Sequence, residues 1–393
     1  MKTNVLILGS TGSIGKQALD VIRANSDIFN VIGLCADTNY ELMEQQIAEF
    51  NPKYAYLANK EANSILAKND FKHTKLLTAE NAIEQCIEDS ETNIVLNAIV
   101  GFAGLRPLLH ALKMNKDVAL ANKESLVAGG FLVMDVLAKS RATIIPVDSE
   151  HNSIYQCLNS RPSEIPERII LTASGGPFHN RSLEDLKDIT PEEAVKHPNW
   201  SMGAKISIDS ATLMNKCLEV IEAAVLFRLP PEKIEVLIHP QSIVHGLVDY
   251  KDGSTIAVLY NPDMKVPIAN AFFTLAKHHN IVQNNPITRL NFSDISQLSF
   301  IKPDVDRHRA LRLSYEVIKK GYAAHITLNA ANEVAVNNFL KRRVSFINIV
   351  KVVEMTLEKL NEVAVESMED IYKIDRWARD CATTIIESKT DED

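Results

Sequence analysis

The chain has 393 residues, 46% of them hydrophobic and 23% charged, which excludes a disordered or fibrous polymer and, at about 150 residues per domain, implies two or three domains. Forty-two Lys and Arg against fifty Asp and Glu give a net charge of −8, so a general polyanion or nucleic-acid binder is excluded and only a local anion site is left open. The five cysteines, Cys35, Cys86, Cys157, Cys217 and Cys381, are far apart and form no C-x-x-C pair, against both a disulfide framework and a thiolate zinc site. The N-terminal apolar run is too short for a signal-peptide core, and no stretch reaches the eighteen apolar residues of a membrane span. A cytoplasmic protein without membrane contact is expected.

Val5 to Leu8 reads as a strand ending at Gly9, and Ala18, Leu19 and Ile22 follow at helical spacing. Further strands are predicted at Val31 to Cys35, Tyr54 to Leu57, Ile94 to Leu96, Val118 to Leu120 and Thr143 to Val147, with helices such as Tyr40 to Phe50 and Gly104 to Met114 between them. This alternation predicts an α/β, Rossmann-like parallel-sheet domain over residues 1–148. Beyond it, Arg168 to Thr172, Ile206 to Ile208, Glu235 to Ile238, Ile243 to Tyr250 and Thr255 to Tyr260, with a hairpin at Asp252-Gly253, predict a central α+β catalytic domain with a mixed sheet over 149–283. Residues 284–306, rich in Pro, Ser, Asn and Asp, read as a linker, and 307–393 as a C-terminal helical domain.

Gly9-Ser10-Thr11-Gly12-Ser13-Ile14-Gly15 is a G-x-x-G-x-x-G turn between strand and helix. Glycines there admit a pyrophosphate, and the free N–H groups of the helix start attract its charge, so a dinucleotide is expected. Asp37, in Ala36-Asp37-Thr38-Asn39, is placed where an acid bonds a ribose 2′-hydroxyl in NAD enzymes, although Thr, Asn and backbone N–H groups also hold a 2′-phosphate. The spacing leaves NAD and NADP both open.

Asp148-Ser149-Glu150 closes a predicted strand at the sheet's carboxyl edge, and continued extension would turn both carboxylates to one face. Asp209-Ser210-Ala211-Thr212 resembles a helix start, followed at spacings of four and three by Asn215, Glu219 and Glu222. That polar stripe is either a solvated helix face or part of a site. Carboxylates without His or Cys partners favour Mg²⁺ or Mn²⁺ over zinc, and Lys123 and Lys216 would suit an anionic substrate. The stretch Asn199 to Gly203 carries Trp200 and reads either as a mobile cover or as a loop pinned to the core.

These segments together resemble the 1-deoxy-D-xylulose 5-phosphate reductoisomerase family over nearly the whole chain. The matching runs are GSTGSIG (9–15), ALANKESLV (119–127), PVDSEHN (146–152), ASGGPF (173–178), HPNWSMGAK (197–205), DSATLMNKCLEVIE (209–222), HPQS (239–242) and LNAANEV (328–334). The resemblance implies an oxidoreductase that rearranges and reduces the phosphorylated sugar 1-deoxy-D-xylulose 5-phosphate to 2-C-methyl-D-erythritol 4-phosphate, with NADPH and Mg²⁺ or Mn²⁺, as a homodimer. Residue by residue, it implies that Asp148, Glu150 and Glu219 hold the metal and act with Lys123 in catalysis. It implies that Ser149, Ser174, His197, Trp200, Ser210, Asn215 and Lys216 bind substrate, together with Lys123, Glu150 and Glu219. Thr11, Gly12, Ser13, Ile14, Asn39, Asn122, Glu124 and Gly203 would contact NADPH. Two positions depart from the family. Cys217 stands where Gly is usual, so its thiol either crowds the pocket or faces the core. Asp37 lies where many members have Gly or Lys, and it would repel a 2′-phosphate that it faced.

Two other readings compete. A semialdehyde-type dehydrogenase shares the glycine turn but needs a nucleophilic cysteine, and Cys157 sits in an apolar helical context that predicts an inert thiol. A nucleotide sensor needs the turn yet has no reason to assemble three carboxylates.

Overall fold

The computed structural model describes residues 2–179, 181–182, 184–196, 200, 203–277, 287–304 and 307–390. They fall into two compact units.

The first unit comprises residues up to Ser125, then Val133–Tyr155 and Asp263–Thr288. Its sheet contains β1 (Thr3–Leu8), β2 (Phe29–Ala36), β3 (Tyr54–Leu57), β4 (Lys75–Leu76), β5 (Ile94–Asn97), β6 (Asp117–Leu120) and β7 (Ile144–Pro146). All are parallel, in the order β4-β3-β2-β1-β5-β6-β7. The chain runs outward from β1 on one side and then returns to β5 on the other, so a topological switch point opens at the carboxyl ends of β1 and β5. Four consecutive residues of β1, Val5 to Leu8, are fully buried, as expected of a strand covered on both faces. The parallel-sheet expectation holds. The boundary at 283 does not follow the compact units: the helix Lys265–Leu275 belongs here, with Phe272 and Phe273 packed on Phe29 at ring-centroid distances of 5.7 and 5.1 Å.

The second unit comprises Leu126–Leu132, Gln156–Pro262 and Arg289–Asp393. Its mixed sheet contains β8 (Pro166–Ala173), β9 (Ile234–Ile238), β10 (Val244–Tyr250) and β11 (Thr255–Leu259) in the order β11-β10-β8-β9. β10 and β11 form the antiparallel hairpin expected around Asp252-Gly253. Residues 206–208, expected as a strand, lie instead in the helix Ala204–Ala211; a three-residue apolar run has no period that separates strand from helix. Within the expected linker, Ile301 exchanges backbone hydrogen bonds of 2.8 and 2.9 Å with Ile238 and so covers the outer edge of β9. The helices Arg309–Lys320, Tyr322–Leu340, Asn348–Glu358 and Met368–Thr390 follow. Leu328, Ala331, Ala335 and Ile349 from this helical region share one core with Met214, Cys217, Leu218 and Ile221, within the same compact unit. No helix among the described residues is long and apolar enough to cross a membrane.

Candidate active site

In the first unit, the glycine turn is shaped by backbone crowding. The Gly9 and Ser10 N–H groups both donate to the Cys35 carbonyl, at 2.8 and 3.0 Å, tying the end of β1 to β2. Gly9 has φ +90°, and a Cβ there would lie 2.4 Å from the Ala98 carbonyl oxygen; one at Gly15 would lie 2.3 Å from the Gly9 oxygen. Only glycine fits either place. The helix Ser13–Ala24 starts at Gly12 without a side-chain cap, leaving its first N–H groups for a ligand. The Ser10 hydroxyl is fully buried and finds no hydrogen-bond partner among the described residues. A turn with open N–H groups and an orphaned hydroxyl fits a dinucleotide pyrophosphate.

Thr11, Gly12, Ser13 and Ile14 all lie on this turn, each partly or fully exposed. Asn39 follows β2 at the same sheet edge and caps the helix Tyr40–Phe50, its Oδ1 accepting the Leu42 N–H at 3.0 Å. Asn122, after β6, is buried: its Oδ1 accepts the Ser125 N–H and its Nδ2 donates to the Gly101 carbonyl, both at 2.8 Å. Glu124 is buried beside it, 3.4 Å from Asn122 Nδ2.

Asp148 follows β7, but the strand ends at Pro146 and the helix Ser149–Ser160 begins directly. The extended continuation expected through Glu150 is therefore replaced by a helical turn. The Asp148 carbonyl accepts the Asn152 N–H at 2.8 Å, which makes Asp148 the residue that opens this helix. Helical winding still keeps carboxylate oxygens of Asp148 and Glu150 within 4.8 Å of one another. Lys123, the first residue of the helix Lys123–Lys139, forms an ion pair with Asp148, and His151 Nδ1 lies 3.7 Å from Asp148 Oδ1. Burial alone would raise the Asp148 pKa, yet Lys123 and His151 override it and hold the carboxyl well below the usual carboxylate range. Ser149 Oγ donates to the Glu150 carboxylate. The two carboxylates of Asp148 and Glu150, with the His151 imidazole alongside, make a set that could hold a divalent ion.

In the second unit, Ser174 follows β8 and begins a turn through Gly175 and Gly176, whose φ values are +83° and +69°. A Cβ on Gly176 would meet the Ser210 carbonyl oxygen at 2.8 Å, so this turn rests directly on the segment carrying Ser210. Asp209 and Ser210 do not start a helix, as their sequence implied; they end Ala204–Ala211, and Leu213 in the left-handed region (φ +58°) redirects the chain into Met214–Leu226. The stripe on that second helix is no solvated face. Glu219 and Glu222 are each only 1% exposed, Lys216 is paired with Glu219, and Asn215 Nδ2 donates to Glu219 Oε1 at 2.5 Å. Asp209 is bridged by Lys205 at 2.9 Å and by Asn332 Nδ2 at 2.9 Å.

Trp200 packs edge-on against His245 (centroids 6.1 Å, 74° between planes), and His245 stacks on Tyr260 at 3.7 Å. Gly203 opens the helix Ala204–Ala211 without a side-chain cap. His197, with Pro198, Asn199, Ser201 and Met202, lies outside the described residues. Sequence reasoning passed over His151, which the i, i+3 spacing from Asp148 would have flagged. It also passed over His245, whose stacking on Tyr260 depends on hairpin pairing that no local pattern encodes.

The ambiguity at Cys217 is resolved. Its side chain is fully buried in the core with Met214, Leu218 and Ile221, and burial pushes its thiol pKa up strongly. We expect Cys217→Gly to lower unfolding free energy by about 2 kcal/mol, from a cavity plus a helix-interior glycine, with kcat/KM at 25 °C changed less than about twofold. Urea denaturation alongside steady-state kinetics checks both. Cys157 is likewise buried, and burial pushes its thiol up to about 11, which is incompatible with a nucleophilic thiolate at neutral pH.

Three family profiles match the chain: 1-deoxy-D-xylulose 5-phosphate reductoisomerase at residues 5–130, the C-terminal domain of the same enzyme at 144–227, and DXP reductoisomerase C-terminal domain at 259–381. The chain belongs to the 1-deoxy-D-xylulose 5-phosphate reductoisomerase family. Among reductoisomerase relatives, that of Thermoanaerobacter sp. (strain X514) is 44% identical over 379 residues, covering 96% of this chain and 97% of the relative. That of Haemophilus ducreyi is 45% identical over 392 residues, covering 96% and 98%. A crystal structure of DOX-P reductoisomerase in complex with NADPH, fosmidomycin and magnesium superimposes with a TM-score of 0.90 at 36% identity, covering 98% of each chain. The Zymomonas mobilis reductoisomerase in complex with NADPH gives a TM-score of 0.90 at 41% identity, covering 99% of this chain and 100% of that one.

Proposed function

We propose that this chain converts 1-deoxy-D-xylulose 5-phosphate to 2-C-methyl-D-erythritol 4-phosphate with NADPH and Mg²⁺ or Mn²⁺, in the non-mevalonate route to isoprenoids. The observation that carries the reading is the two acids Asp148, partly buried, and Glu219, fully buried, each set against a lysine. Burying ionised acids is costly unless charge compensation and function retain them. Asp148, Glu150 and Glu219 are assigned as ligands of one divalent ion. The ion supplies Lewis acidity to the substrate's ketone and neighbouring hydroxyl, and NADPH supplies the hydride.

The chain's own part is to bind, orient and hold charge. Lys123 keeps Asp148 ionised and offers positive charge near the reacting carbons. Ser174, Ser210, Asn215, Lys216 and His197 hold the substrate and its phosphate, so that remote binding energy orients the reacting end. Ser149 and Trp200 are assigned to the reacting end of the substrate, where the apolar indole of Trp200 suits the exclusion of water. Thr11, Gly12, Ser13, Ile14, Asn39, Asn122, Glu124 and Gly203 position the nucleotide. The working protein is taken as a homodimer, as the family resemblance implies, and as cytoplasmic, as expected from the short N-terminal apolar run. The semialdehyde-dehydrogenase reading fails on Cys157.

The test is NADPH oxidation in the presence of the deoxyxylulose phosphate, with and without chelator. Turnover is expected to fall to background in excess EDTA and to return with Mn²⁺ or Mg²⁺. Chelator-resistant turnover overturns the assignment.

A further inference from the structure

A 2′-phosphate on the adenosine ribose brings up to two negative charges to the edge of the sheet beyond β2. The turn there, Ala36-Asp37-Thr38-Asn39, has no basic residue, and its one charged side chain is the exposed acid Asp37. The neighbouring strand supplies what is missing. Beyond the paired residues of β2 and β3, the backbone ladder continues: Ala58 N–H donates to the Ala36 carbonyl at 3.0 Å, and Asn59 N–H donates to the Asp37 carbonyl at 3.1 Å. Two successive bonds zip the end of β3 to the β2 turn, with Asn59 opposite Asp37 and Lys60 the next residue along the chain.

Lys60 begins the helix Lys60–Leu66; its side chain is exposed and has no ion-pair partner among the described residues. It is the sole basic residue within 36–41 and 58–61, a rim that also carries Asp37, Glu41 and Glu61. The ligand that this rim would face is indicated separately, one strand away. There the glycine turn hangs on the Cys35 carbonyl at the end of β2, and the Ser10 hydroxyl in it is buried without a partner among the described residues.

We infer that Lys60 reads the adenosine 2′-phosphate and sets the preference for NADPH over NADH against the opposing charge of Asp37; the assignment rests on the cofactor reading above. Thr38 and Asn39 add neutral contacts. The Asn39 Oδ1 is spent on capping Leu42, which leaves its Nδ2 as the donor. Lys60 acts as a point charge on a flexible stem, suited to a phosphate approached from the strand edge.

The experiment is calorimetric binding to the full-length protein of two fragment probes, adenosine 2′,5′-bisphosphate and 5′-AMP, and of NADPH and NADH, for the native chain, Lys60→Gln, Lys60→Glu and Asp37→Asn. Lys60→Gln should weaken the bisphosphate and NADPH about fivefold and Lys60→Glu more, while 5′-AMP and NADH stay within about twofold, the range for a partly exposed charged contact. Asp37→Asn should tighten NADPH two- to threefold. An NADPH-to-NADH affinity ratio unchanged in both Lys60 variants overturns the inference while leaving the cofactor reading intact. A native protein that binds 5′-AMP as tightly as the bisphosphate, or NADH as tightly as NADPH, overturns the cofactor reading itself.

Discussion

Glu219→Gln is expected to lower turnover about a thousandfold while leaving NADPH affinity within about twofold. The substitution is nearly isosteric: an amide oxygen can still accept from Lys216, and the side chain still fills the site between Asn215 and Lys216. What disappears is the negative charge. A neutral oxygen is a much poorer ligand for a hard divalent ion, so the Mn²⁺ concentration for half-maximal activity should rise well before the protein loses its fold. Nucleotide binding is spared because the turn that takes the pyrophosphate, Gly9 to Gly15, acts through backbone N–H groups and does not include Glu219. Folding carries a smaller cost. Lys216 is only 3% exposed, and leaving a buried ammonium without its counter-charge destabilises by up to about 3 kcal/mol, less where a hydrogen-bond acceptor remains. Metal titration monitored by turnover, nucleotide titration and urea denaturation separate the three effects. Native turnover with unchanged metal dependence would reduce Glu219 to a counter-ion of Lys216.

Much of the first unit was legible because its strands are short apolar runs bounded by glycine or helix, and because a parallel sheet buried on both faces leaves that signature. The glycine turn was legible for a related reason: two of its positions admit no Cβ, so the backbone itself dictated the residue type. Reading failed where local pattern and tertiary context disagree. Asp148 to Glu150 read as strand because the preceding residues are one, whereas helix capping at Asp148 ends the extension. Asp209-Ser210 read as a helix start because Asp and Ser favour that position, yet the break falls at Leu213, whose positive φ no sequence rule for leucine anticipates. The stripe of Asn215, Glu219 and Glu222 is what a solvated helix face looks like in sequence, and only burial in the fold reveals it as an interior polar cluster. The helix Lys265–Leu275 was given to the middle domain because chain order suggested it. Its aromatic contacts with Phe29, far back in the chain, assign it to the first unit.

Lys123→Met should lower turnover about a hundredfold and reverse the pH response of Asp148. In the native protein the Asp148 pKa is depressed: burial pushes it up, but Lys123 and His151 push it down further. A depressed carboxyl contributes stability that is fully present above its unfolded value of about 4 and is lost as pH falls through the lower folded value. Native stability should therefore hold steady from neutrality to about pH 4 as far as this group is concerned, declining only below. Removing the ammonium while keeping most of the stem volume leaves burial opposed only by His151, which carries charge only when protonated. The folded pKa then moves upward, and once it exceeds the unfolded value the sign changes, so that stability falls as pH rises past about 4. Retention of charge in Lys123→Arg should restore the native direction even if turnover stays low, because the guanidinium is bulkier. Urea denaturation of the three proteins between pH 4 and 8 reads the slope directly. Equal slopes in native and Lys123→Met would show that His151 alone holds Asp148 ionised, leaving Lys123 a substrate-facing charge with no part in tuning its neighbour.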